Sequence, residues 1–121
     1  MVITRILSAL VFSNTAEAFG QELAISAVQK QVRMQLAEVP LLIKIARCES
    51  DFRQFDESGK PLRNPDSTAT GALQIMYSVH NKKARLLGFD LNTIKGNTGY
   101  AKHLYRTQGT SPWNASKDCW G

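Results

Sequence analysis

Two cysteines, Cys48 and Cys119, constrain this chain more than any other feature of its sequence. Joined, they would enclose about seventy of its 121 residues and pin the C-terminal tail to the middle of the chain. The chain-entropy account gives such a closure about 4 kcal/mol. A chain of this size forms one domain with a real but modest core, so a covalent staple would help it. Disulfides persist in oxidising compartments, which makes the pair a pointer to export. Two other readings stay open. The thiols could be unrelated, or Cys48, His80, His103 and Cys119 could be imagined around zinc. The scattered spacing lacks any Cys-x-x-Cys or His-x-x-x-His pair, so no metal is expected.

The N-terminus agrees with export. Arg5 precedes the apolar run Ile6-Leu7-Ser8-Ala9-Leu10-Val11-Phe12, and Ala16-Glu17-Ala18 supplies the A-x-A pattern of a cleavage site. Residues 1–18 therefore read as a secretory signal, and residues 19–121 as a single domain. The competing reading is an ordinary helical start. Arg5 and Glu17 would leave together, so the formal charge of +5 would persist after cleavage. No run approaches the roughly eighteen apolar residues that span a bilayer, so stable membrane insertion is not expected. A basic balance suits an acidic polymer, a membrane surface or nucleic acid. Lys82, Lys83 and Arg85 form the densest basic cluster, without interleaved aromatics. A solvated helix face explains them better than nucleic acid.

Apolar residues at Ile25, Val28, Val32 and Leu36 recur at helical spacing. Pro40 ends that helix or opens the next, which runs from Leu41 to Ser50. The turn-rich segments Asp56–Pro61 and Asn64–Ser67 predict a small irregular β-hairpin. In "TATGALQI", Thr68–Ile75, Gly71 permits close approach of another chain or a ligand. Ser78 would cap a helix through Leu87, with Gly88 ending it. Asp90 or Thr93 would open a last long helix closed near Gly109. The class is mainly α, in an α+β arrangement with a hairpin after the second helix.

That second helix places Leu42, Ile45 and Glu49 along one side, so Glu49 falls at the edge of an apolar stripe. The helix C-terminus disfavours a negative charge, and burial does the same; both would raise its pKa. A carboxylic acid that holds its proton near neutrality is suited to protonating a glycosidic oxygen. The alternative is a surface glutamate paired with Arg47 or Arg53. No Gly-x-Ser-x-Gly elbow, P-loop or dinucleotide fingerprint is present.

"ARCESDF" followed by "NPDSTATGALQI" resembles the soluble lytic transglycosylases, the goose-lysozyme-like branch of the lysozyme superfamily. Glu49-Ser50-Asp51-Phe52 matches that family's Glu-Ser-x-Phe segment, and Ala69–Ile75 approximates its glycine-bearing loop. Thr93–Ala101 is similar to a third segment, and "GTSPWNASKDCW" to the ending of compact bacterial members. The likeness covers about Leu41 to Trp120. Departures are Thr68 at a usual glycine, Ala72-Leu73 for Leu-Met, and Thr93 and Asn97 at the usual Asn and Gly.

The resemblance implies a lysozyme-like fold and an exported monomer acting on peptidoglycan glycan strands, with no cofactor. It implies cleavage between N-acetylmuramic acid and N-acetylglucosamine with formation of an anhydro sugar, Glu49 serving as acid and then as base. Ser50 would orient Glu49. Gly71, Ala72, Gln74 and Ile75 would line the substrate, and Tyr100 would donate toward Glu49 or the acetamido group. Asp66 is the possible second carboxylate of a hydrolysing alternative, although Asn64-Pro65-Asp66 also reads as a turn bonded by its own aspartate. A third reading is a wall-binding module of the same fold without turnover. Trp113 and Trp120 could stack on sugars, but core packing of the tail suits them better.

Overall fold

The computed structural model describes the backbone of residues 2–121 and the side chains of residues 16–121. The leader reading of residues 1–18 falls mostly outside the described side chains.

Helix makes up 62% of the chain, beside one two-stranded antiparallel sheet. Helix α1 (Val2–Gln35) carries Val32 into the core, and Leu36, one residue past its end, joins it there, as the spacing predicts. Pro40 opens helix α2 (Pro40–Ser50), where its missing N–H costs nothing. Leu42, Ile45 and Ala46 form the buried stripe of α2. The helix stops because Asp51 and Phe52 both turn left-handed, at φ 54° and 62°. Their N–H groups fold back onto the Arg47 and Ala46 carbonyls at 3.0 and 3.3 Å. Asp tolerates that conformation; Phe does so only under constraint. Burial of its ring in the core supplies the constraint, and Arg33 stacks over that ring at 5.2 Å.

The sheet lies later than the turn signals predict. Strands β1 (Ala69–Thr70) and β2 (Ile75–Met76) pair Ala69 with Met76 and Thr70 with Ile75. The stretch the turn signals mark is nonetheless an irregular hairpin: the Phe55–Pro61 bridge is flanked by Asp56 N–H to the Lys60 carbonyl at 2.8 Å and Leu62 N–H to the Gln54 carbonyl at 2.9 Å, and the bridge Arg63–Thr70 joins it to β1. Asp56 closes its tip, because its carboxylate ties the Ser58 and Lys60 N–H groups into a compact turn.

Helix α3 (Tyr77–Leu86) begins one residue before Ser78, and Ser78 is not its cap. Thr68 performs that service from the neighbouring loop, its Oγ1 accepting the Ser78 N–H at 3.0 Å. Gly88, at φ 87°, ends α3 as expected, with Gly88 and Phe89 N–H groups returning to Arg85 and Ala84. Thr93 opens helix α4 (Ile94–Gln108), accepting the Gly96 N–H at 3.0 Å. The tail is a 3-10 segment, Ser111–Ser116, followed by α5 (Lys117–Trp120). Trp113 and Trp120 are both buried, so the tail tryptophans are core and not sugar platforms. Lys82, Lys83 and Arg85 are exposed on α3. Among the described residues no helix is long and apolar enough to cross a membrane.

Candidate active site

Three elements meet at the end of α2: the left-handed turn at Asp51-Phe52, the loop between β1 and β2, and the tail. The Cys48 and Cys119 sulfurs are bonded to each other, which fixes α5 beside the last turn of α2. Both thiolates are thereby lost as zinc ligands. Among the described residues no cluster of three His, Cys, Asp or Glu side chains could hold a metal.

Glu49 sits on that last turn, half-buried. Among the described residues the ion pair is Lys102 with Glu38, so the pairing of Glu49 with Arg47 or Arg53 is not realised. Loss of solvation raises the Glu49 carboxyl above the ordinary carboxylate range, and the polar Ser116 side chain opposes this in part. At a given pH its protonated fraction is thus larger than that of a free glutamate.

The β1–β2 loop beside it is held from every side. Gly71, at φ 74°, lies so close to its neighbours that a Cβ there would stand 2.4 Å from Asn97 Nδ2 and 2.6 Å from Gln54 Oε1. Gln54, fully buried, accepts the Ala72 N–H at 2.9 Å and donates to the Leu91 carbonyl at 3.1 Å. Asn97 accepts the Leu73 N–H at 3.0 Å and donates to the Thr70 and Leu91 carbonyls, both at 2.9 Å. Trp113 Nε1 donates to the Leu73 carbonyl at 2.9 Å. Ser50 Oγ donates to the Ala72 carbonyl at 2.7 Å and accepts the Arg53 N–H at 3.0 Å. Ser50 therefore clamps the loop to the end of α2 and makes no hydrogen bond to Glu49.

Comparison of the chain with protein-family models, with curated proteins and with solved structures returns no match.

Gly71, Ala72 and Ile75 are buried, and their polar backbone groups are committed within the protein; they shape the loop and offer little surface to a ligand. Gln74 keeps some surface. Its Nε2 donates to the Gly71 carbonyl at 2.9 Å, leaving the amide oxygen and one N–H with no bond in the loop. Tyr100 is fully buried, and its hydroxyl meets His80 Nδ1 at 2.9 Å and not Glu49. Burial raises the Tyr100 pKa and lowers that of His80, so this bond joins two neutral groups at neutral pH. Asp66 is exposed in its turn, and the turn's side-chain acceptor is Asn64, whose Oδ1 takes the Asp66 N–H at 2.8 Å. The asparagine, two residues earlier, has its side-chain oxygen in reach of that N–H, and the aspartate makes no such bond.

A separate groove of about 370 Å³ lies between Ala18–Val28 of α1 and the Arg53–Gly59 turn, lined by Ile25, Val28, Phe55 and Glu57. Glu49 is not among its lining residues. Gln54 is the residue that sequence reasoning missed. A lone glutamine in a turn-rich stretch carries no local signal, and only the tightness at Gly71 hinted that something approached there.

Proposed function

We propose that this protein is an exported peptidoglycan lytic transglycosylase of lysozyme-like fold, with Glu49 as its single catalytic acid and base. The observation that carries the reading is a half-buried, raised-pKa carboxyl without an ion-pair partner, beside a fixed glycine-bearing loop. The order of the quoted segments along the chain supports the substrate class. The Cys48–Cys119 bond and the net charge of +5 suit an oxidising compartment rich in anionic wall polymer.

In the proposed reaction Glu49 gives its proton to the glycosidic oxygen as the bond from that oxygen to the anomeric carbon breaks. The muramyl 6-hydroxyl oxygen then bonds to the anomeric carbon, and its proton returns to the Glu49 carboxylate. No water enters and no cofactor is called for. One carboxyl suffices because the substrate supplies the nucleophile, in contrast to the two-carboxylate arrangement of most glycosidases. Asp66, exposed in its turn, has no part in this scheme.

Purified sacculi test the proposal. Wild-type protein should release muropeptides lighter by one water than hydrolysis products, and Glu49→Gln should release none while still sedimenting with sacculi. Asp66→Asn should keep most of the activity. Products of ordinary hydrolytic mass, with loss of activity in Asp66→Asn, would show a hydrolase; undiminished release by Glu49→Gln would remove Glu49 from the chemistry.

A further inference from the structure

Helix α3 keeps one long face uncovered. Its inner side is formed by buried Ala84 with half-buried Tyr77, His80 and Asn81. On the outer side Val79 is 66% exposed and Leu86 80%. They stand seven residues apart, about two helical turns, which aligns them on one ridge. Lys82 and Lys83 lie between them in sequence and flank the ridge on either side, both exposed. Met76 just before the helix and Leu87 just after it are 38% and 46% exposed and add apolar surface at its two ends. Single exposed apolar residues are ordinary, but a ridge of them set among cations marks an interaction surface.

The charge pattern narrows the occupant. No Asp or Glu occurs from Ser67 to Phe89, while Lys82, Lys83 and Arg85 fall close together within it. Among the described residues the ion pair is Lys102 with Glu38, so the three α3 cations are not neutralised by pairing. A second copy of the same face would bring like charges together. A hydrated anionic polymer would satisfy the lysines and gain nothing from Leu86 or Val79. A bilayer carrying anionic lipid answers both, with phosphates at the level of the ammonium groups and acyl chains just beneath for the apolar side chains. Lysine suits this geometry because its stem lies along apolar surface while its head reaches the polar layer.

We propose that the Val79–Leu86 face of α3 docks this protein on the surface of an anionic lipid bilayer, the helix lying in the interface and not crossing it. Each cation near such a surface strengthens binding about fivefold, so three cations with one short apolar ridge give a reversible attachment that salt weakens. The inference stands apart from the lyase reading, since it uses no group of the Glu49 site.

Co-sedimentation of the full chain with vesicles tests it. The protein should bind vesicles of equal parts phosphatidylglycerol and phosphatidylcholine, and not vesicles of phosphatidylcholine alone. The double variant Lys82→Gln, Lys83→Gln should lower the partition roughly twentyfold. Leu86→Ser should lower it by about fivefold or more, through lost apolar contact. A direct reading comes from Leu86→Trp, whose added indole should shift its emission to the blue on meeting the mixed vesicles. Equal partition onto both vesicle types, partition onto neither, or an emission that does not move overturns the proposal. Binding that the lysine variant loses and Leu86→Ser leaves intact also overturns it, and gives the face to an anionic polymer. Self-association in vesicle-free solution that Leu86→Ser abolishes overturns it in favour of a second copy.

Discussion

Removing the Cys48–Cys119 bond gives the most quantitative test of how this fold holds together. The bond spans a sequence separation of 71 residues. With the logarithmic loop term, a crosslink of that span removes about 15 cal/mol/K from the denatured chain, or about 4 kcal/mol at room temperature. For a domain of this size that corresponds to a fall in Tm of roughly 20 °C. The native tail has other anchors: Trp113 and Trp120 are buried, and their indole N–H groups are both bonded. The double variant Cys48→Ala, Cys119→Ala should therefore keep the native tail docked and lose stability chiefly through a freer unfolded chain. Calorimetry would give the Tm, and urea titration should show a larger m value, since the uncrosslinked chain exposes more surface. A fall in Tm below about 5 °C with unchanged m would refute the reasoning. It would mean that the crosslink does little to restrict the unfolded chain.

Gly71→Ala should cost about 3 kcal/mol in urea denaturation, from left-handed strain at φ 74° together with overlap against Asn97 and Gln54. A loss under about 0.5 kcal/mol would show that the loop yields easily. Glu49→Gln should stabilise the fold near neutral pH and not in acid. The folded carboxyl titrates above its unfolded value, so its contribution is full below the unfolded pKa and fades as pH rises through the folded one. Because the group is half-exposed, the gain is small. Urea midpoints at about pH 4 and about pH 7 would check the sign, and a glutamine variant less stable at the higher pH would contradict it.

Much of the scaffold was legible from short-range chemistry. Pro40, Thr93, Gly88 and Gly109 mark helix ends because each acts through its own backbone or a bond to a residue nearby. The burial of Val32, Leu36, Leu42 and Ile45 follows from helical spacing alone. What stayed hidden depends on partners far along the chain. Thr68 caps α3 from ten residues away, Gln54 supports Ala72 across eighteen, and Asn97 reaches Leu73 across twenty-four. No local pattern announces such pairs. Turn residues at 56–67 mark the irregular hairpin, while the regular pairing of Ala69–Thr70 with Ile75–Met76 carries no turn signal of that kind. Ser50 and Tyr100 stand where short segments drew attention, yet their hydroxyls answer to Ala72 and His80.

Every amide from Gly71 to Gln74 already has a protein acceptor: Leu62, Gln54, Asn97 and Gly71 in turn. On the proposed reading, a glycan reaching Glu49 would meet a wall whose outline is settled at folding and does not have to be moulded on arrival. Encounter with such a surface resembles a key entering a rigid ward, quick to accept a matching outline and unforgiving of a poor one.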